Sequence, residues 1–198
     1  MIYMNVGLLY EGDKDKRALI VLIDRVLKVY NSNLELKFLP FPADGPINSK
    51  VKAAYTEFFV NNSCGMAVFA SDTDGSQTKQ RSIINQVTKV NTSSKPIVVW
   101  CINPEFEQIF FDEENELKSV FGLQGSMPIP YEDMKPKERF KRLHDESPNI
   151  GITETVKDTT EKIAFEMDIN MLINTKKCPS FKKLYKDIGQ VIKLFPTN

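Results

Sequence analysis

Short apolar runs alternate with segments of helical spacing over the first two thirds of this chain, and that alternation restricts it to very few folds. Met4 to Tyr10 reads as a buried strand, and Leu19, Leu22, Ile23, Val26, Leu27 and Tyr30 then mark a helix over 16–30. Leu34 to Leu39 gives a second strand, closed by a turn over Pro40 to Pro46. A helix over 51–60 shows Ala54 and Phe58 on its apolar face, and Gly65 to Ala70 is a third short strand. Ile84, Val87 and Val90 place a helix over 77–91, and Ile97 to Ile102 is the last clear strand. Strand and helix in this order imply βαβ crossovers and an α/β fold with a mostly parallel sheet and helices on both faces.

After Asn103 the chain turns mainly helical. The pattern predicts a short helix over 105–111, an irregular loop over 122–133 and a basic helix over 135–144. Asp158 and Glu161 have capping-box spacing before a further helix through Ile163 and Met167. Cys178-Pro179-Ser180 opens a last helix whose apolar stripe is Phe181, Leu184, Tyr185, Ile188, Val191 and Ile192. With 198 residues and no linker, repeat or low-complexity tract, one compact unit is expected.

Net charge is formally zero, so no global field draws the chain to a polyanion, and any such contact needs a local patch. Cys64, Cys101 and Cys178 lie far apart and form no CxxC pair, which argues against zinc and against a disulfide scaffold. No apolar stretch approaches the length of a membrane span, and the N-terminus lacks the pattern of a signal peptide. These features lead to the expectation of a soluble, cytoplasmic protein without a membrane partner.

Two of the strand-like runs end abruptly in acids. VGLLYEGDKDK carries Glu11, Asp13 and Asp15, and VFASDTDG carries Asp72 and Asp74. In a parallel sheet both sets fall on the C-terminal edge, where open α/β folds build their sites. Carboxylates about 4 Å apart repel by roughly 4 kcal/mol at an effective dielectric near 20. Such a group persists around a divalent cation or with some members protonated, and the cation is the better reading. Locally, the Asp-Gly pair is also good turn chemistry, and Asp15 could cap the following helix.

Three chemistries compete for DTDG. An EF-hand loop would put Ala70 at its first ligand position and Arg81 at its last, so it fails. A haloacid-dehalogenase-type phosphatase would use Asp72 as nucleophile and Asp74 as general acid/base. It also requires a later acidic motif, where Asn103-Pro104-Glu105 stands instead, and it leaves the first acidic cluster unexplained. The third reading uses both clusters. Glu11-Gly12 after one strand and Asp72-Thr73-Asp74 after a later one resemble the Toprim domain of topoisomerases, primases and OLD-family nucleases. Asp15 matches the acid that follows the Glu in the nuclease branch, and Ser76 stands where the longer DxDxD form has another Asp.

A narrower resemblance covers nearly the whole chain. NPEFEQIFFDEE and CPSFKKLYKDI are similar to motifs of an uncharacterised family of standalone Toprim-like proteins related to the OLD-family nucleases. Pro104, Glu105 and Glu107 fit the first motif, and Cys178 to Phe181 the second; Ile109-Phe110-Phe111 replaces the family's Trp-Leu-Leu. The resemblance implies a Rossmann-like Toprim core over 1–112, a helical extension over 113–198 packed on it, and acids gathered around Mg2+ or Mn2+. It further implies a metal-dependent nuclease acting on DNA or RNA in defence against phage or mobile elements, beside a separately encoded ATPase, with homo-oligomerisation open. The competing class is a non-enzymatic module that binds metal, nucleic acid or a partner protein.

Phosphodiester cleavage must offset extra negative charge on a phosphate and generate a nucleophilic water, and magnesium does both. Asp72 and Asp74 are expected as metal ligands, Glu11 as ligand or general base, and Asp15 as ligand to a second ion. Glu107 is a further candidate. Gly12 and Gly75 would let backbone approach the phosphate or simply ease the turns. For a phosphate-facing cation, Lys14, Lys16, Lys79 and Arg81 are the candidates near the edge. Lys135, Lys137, Arg139, Lys141 and Arg142 form a basic stretch that could follow a nucleic-acid backbone or form a solvated face.

Overall fold

The computed structural model describes residues 2–43, 47–174 and 178–195. Four strands, β1 (Ile2–Tyr10), β2 (Leu34–Pro42), β3 (Met66–Asp72) and β4 (Ile97–Ile102), form one sheet in the order β2-β1-β3-β4. Every pairing is parallel. The α/β architecture with helices on both faces is therefore the observed one.

Alternation along the strands sorts the two layers. Met66, Val68 and Ala70 face one side with Val6, Leu8, Tyr10, Val98, Trp100 and Ile102. Against them pack α1 (Lys16–Tyr30) and α9 (Pro179–Ile192), with α7 (Val156–Glu166) laid on α1. Leu9, Ala67 and Phe69 face the other side, under α2 (Val51–Thr56) and α3 (Gln77–Val90). Between them in sequence come α4 (Gln108–Asp112), α5 (Glu114–Val120), α6 (Pro136–Glu146) and α8 (Ile169–Asn174), all sharing the first layer's core. Trp100 is buried, meeting Phe106 and Phe181 edge-on, and so is a core residue.

From β1 the chain crosses to one side of the sheet, and from β3 to the other. The boundary between β1 and β3 is thus the topological switch point, where crossovers diverge and leave a crevice at the strands' C-terminal ends. Glu11 follows β1 directly and Asp72 is the last residue of β3, so both stand at that crevice.

Several local expectations are corrected. β2 runs through Pro40 and Pro42, opposite Leu8 and Tyr10, instead of stopping before them. An edge strand tolerates proline because its outer side needs no donor. The remaining part of the expected turn, residues 44–46, lies outside the described residues. The helix at 51 ends at Thr56 and widens into a π-type turn, Glu57–Asn61. On α3 it is Ile83, not Ile84, that is buried with Val87. The capping box joins Thr155 to Asp158, each bonded to the other's backbone, while Glu161 pairs with Arg17. Among the described residues no helix is long and apolar enough to cross a membrane.

Gly7 lies under the Phe58 ring, and a Cβ there would sit 2.4 Å from it. Phe58 is fully buried and has no room to retreat. Gly7→Ala is expected to destabilise the fold by about 1–3 kcal/mol through overpacking. In urea titrations the midpoint should fall at unchanged slope; an unaltered midpoint would show that the second layer is loosely packed.

Candidate active site

Turn chemistry sets the approach of the acids. Gly12 and Gly75 both have φ of 75°, and Asp74 has φ of 51°, so each strand leaves the sheet through a left-handed turn that glycine permits. After β3, the Thr73 hydroxyl donates to the Ile102 carbonyl at 2.9 Å, and the Asp74 N–H to the Pro104 carbonyl at 2.8 Å. These bonds fasten the Asp72–Asp74 loop to the segment leaving β4. That segment carries Glu105 and then Glu107, the residue preceding α4. Strand parity points Asp72 to the same side as Val68 and Ala70, the α1 side.

Asp15, Asp72 and Glu107 consequently share one region. Asp15 is 6% and Glu107 4% exposed, and Asp72 is partly buried. Asp15 occupies the N-cap position of α1, yet its carboxylate makes no capping bond. One Glu107 oxygen, Oε2, is buried without a hydrogen-bond partner. Burial first, then the charge of Glu107, pushes the Asp15 carboxyl up to about 7. Burial first, then Asp15, Glu107 and Glu11, pushes Asp72 up to about 8. Glu107 is raised too, again mainly by burial, while its own backbone N–H and Lys137 pull it down.

Glu11, Asp15 and Asp72 line a cleft floored by Ala70, Ile102 and Phe106, with room of about 10 Å3. That is the space of one water-sized sphere, enough for an ion and too small for an organic ligand. Glu11 is held from two sides: Oε1 accepts from the Ile47 N–H at 3.0 Å and Oε2 from Lys79 Nζ at 3.3 Å. Lys79 also binds Asp74 Oδ2 at 3.1 Å. Burial works against the Lys79 charge, but its bonds to Asp74 and Glu11 outweigh that and raise its pKa.

Of the expected residues, then, Glu11, Asp15 and Asp72 come together in the cleft, and Glu107 joins them by charge. Asp74 does not line it; its side chain is 60% exposed and turned to Lys79 at the rim. Arg81 is exposed on α3 without an ion pair among the described residues. Lys79 is singled out from the four basic candidates by contact. The basic stretch is not one continuous charged face. Arg139 donates to the carbonyls of Ile129 and Pro130 and covers Phe111, while Arg142 pairs with Glu146 and covers Tyr131. Both are spent in pinning the preceding loop.

Sequence reasoning missed Lys137 as a member of the site. Burial opposes its charge, yet Glu107, Asp15, Asp72 and Glu105 together raise its pKa. Nothing local marks it apart from its neighbours Lys135 and Lys141; only the docking of α6 brings it to the acids.

Among the described residues, no three or more His, Cys, Asp or Glu side chains are grouped so as to hold a metal ion by themselves. Magnesium does not require such a group, since it is held by one or two carboxylates with waters completing the octahedron. The unpartnered Glu107 oxygen and the Asp15 carboxylate, which makes no capping bond, fit such an ion. No family model matches the chain, and no curated protein or solved structure matches it.

The raised acids give the metal-free protein a defined pH response. The folded state keeps protons that the unfolded chain loses near pH 4, so ionising Asp15 and Asp72 costs stability as pH rises toward 8. Asp72→Asn removes part of that cost. Without divalent cations, the variant should melt higher than the parent by a margin that widens between pH 5 and pH 8 and then levels off. A margin independent of pH would show that Asp72 is ionised throughout.

Proposed function

We propose that this chain is a magnesium- or manganese-dependent nuclease of the Toprim type that cleaves phosphodiester bonds in nucleic acid. The observation that carries the reading is the gathering of carboxylates, Asp15 and Glu107 buried and one Glu107 oxygen without a hydrogen bond, at the switch point of a parallel sheet. Leaving buried polar groups unpaired is costly, and such groups persist where they have a task. The Glu11, Asp15 and Asp72 pattern of the Toprim resemblance falls on this cleft, and Glu107 of the Pro-Glu-x-Glu motif falls beside it.

In this reading Asp15, Asp72 and Glu107 hold the cation, which when bound supplies positive charge against the phosphate and an acidified water. Glu11 sits at the opening with Oε2 oriented by Lys79, suited to accept the proton of the attacking water. Asp74 keeps Lys79 in place from the opposite side, where the ammonium faces an incoming polyanion. The chain is placed in the cytoplasm, in defence against phage or mobile DNA, with its ATPase supplied by a separate protein.

Calorimetry with Mn2+ and cleavage assays on supercoiled DNA, single strands and tRNA test the proposal. Asp72→Ala should abolish cation binding and lower cleavage by about 10²–10³-fold, the worth of several kcal/mol of charge stabilisation. Asp74→Ala should cost about tenfold or less and leave the cation bound, since a rim contact of this exposure contributes about 1 kcal/mol. Release of phosphate from small phosphoesters without polynucleotide cleavage would favour the phosphatase. Cation binding without any cleavage would indicate a binding module.

A further inference from the structure

Around the cleft, acidic groups outnumber the cations ion-paired to them. Lys79 is committed to Glu11 and Asp74, and Lys157 to Asp13. Lys14 acts on Asp15 and Glu107. Lys137 acts on Asp15, Asp72 and Glu107 alike, and forms no ion pair of its own among the described residues. Its position is fixed by the backbone: the Lys137 N–H donates to Glu105 Oε2 at 3.0 Å, tying the first turn of α6 to the segment that carries Glu107. Pro136 precedes it in that turn, so the positive end of an eleven-residue helix is directed to the acidic segment. Lys137 itself is exposed, whereas Asp15 and Glu107 are buried, and it does not line the cleft, so it lies on the solvent side of the acids on which its charge acts.

On this arrangement, and resting on the metal-site reading, we propose that Lys137 is a substrate-binding cation with two successive partners. It balances the buried carboxylates when no divalent cation is bound, and it takes a phosphate oxygen once a cation occupies them. Size supports the division of space. The cleft has room of about 10 Å3, so a phosphate drawn to a cation there would have to stay outside it, on the solvent side where Lys137 is exposed. Charge supports the order of events. A divalent cation cancels the field that attracts the ammonium and repels it outward, toward the anion that follows.

The test uses the full chain and two probes, Mn2+ alone and inorganic phosphate added to the Mn2+-loaded protein, followed by calorimetry. Lys137→Met should bind Mn2+ about three- to tenfold more tightly, because a repelling charge is gone. Its Mn2+-loaded form should bind phosphate about tenfold more weakly, having lost a charge-assisted contact. Lys137→Arg should recover most of the phosphate affinity, and Lys14→Met should alter both by less than about twofold. A residue serving only the packing of α6 would not move the two affinities in opposite directions. If the parent binds Mn2+ and Lys137→Met matches it in either affinity, the role of Lys137 is overturned while the metal site stands. If the parent binds no Mn2+, the metal site fails and this inference fails with it.

Discussion

Repulsion among carboxylates held out of water is the constraint on which this molecule turns. Asp72 feels the charges of Asp15 and Glu107, Asp15 feels that of Glu107, burial raises all three, and one Glu107 oxygen has no donor among the described residues. A fold does not accumulate such a cost by accident of packing, because apolar residues at the same places would be neutral or stabilising. Protonation relieves it in part, and Lys137 and Lys14 in part. A divalent cation relieves it most fully, since one ion opposes several carboxylates at once. The stability given up at these positions is what the proposed cation site accounts for.

The scaffold delivers the acids by ordinary means. Parallel β1 and β3 present their C-terminal ends side by side, and left-handed turns at Gly12 and Gly75 release the chain from each. Thr73 and Asp74 bind the backbone beyond β4 and draw Glu107 inward. Glu105 then draws in α6. Asp72 and Glu107 are thus fastened through bonds made by the residues beside them, Thr73, Asp74 and Glu105. Of the cations around the site, Lys79 is engaged with Glu11 and Asp74, and Lys137 acts by its charge on Asp15, Asp72 and Glu107.

The sequence made the sheet legible because its strands are short apolar runs and its helices keep a clean apolar spacing; α1 and β4 begin and end where that spacing says. It misplaced the end of β2 because edge position, which excuses Pro40 and Pro42, is a property of the assembled sheet. In the site, Glu11, Asp15 and Asp72 were legible from their place after strands. The outward turn of Asp74 was not, since it depends on the left-handed conformation of that turn, which sets Asp74 beside Lys79 in the first turn of α3. Lys137 was legible only as one of a basic stretch: what sets it apart is a tertiary contact of its backbone with Glu105, and no spacing along the chain records it.

Anomalous scattering from manganese in crystals of the protein tests the central claim most directly. The account predicts a single strong peak between the carboxylates of Asp15, Asp72 and Glu107, absent from crystals of Asp72→Asn grown and soaked alike. A cleft without a peak at saturating manganese, or a peak confined to the exposed carboxylates of Asp13 and Asp74, would contradict it.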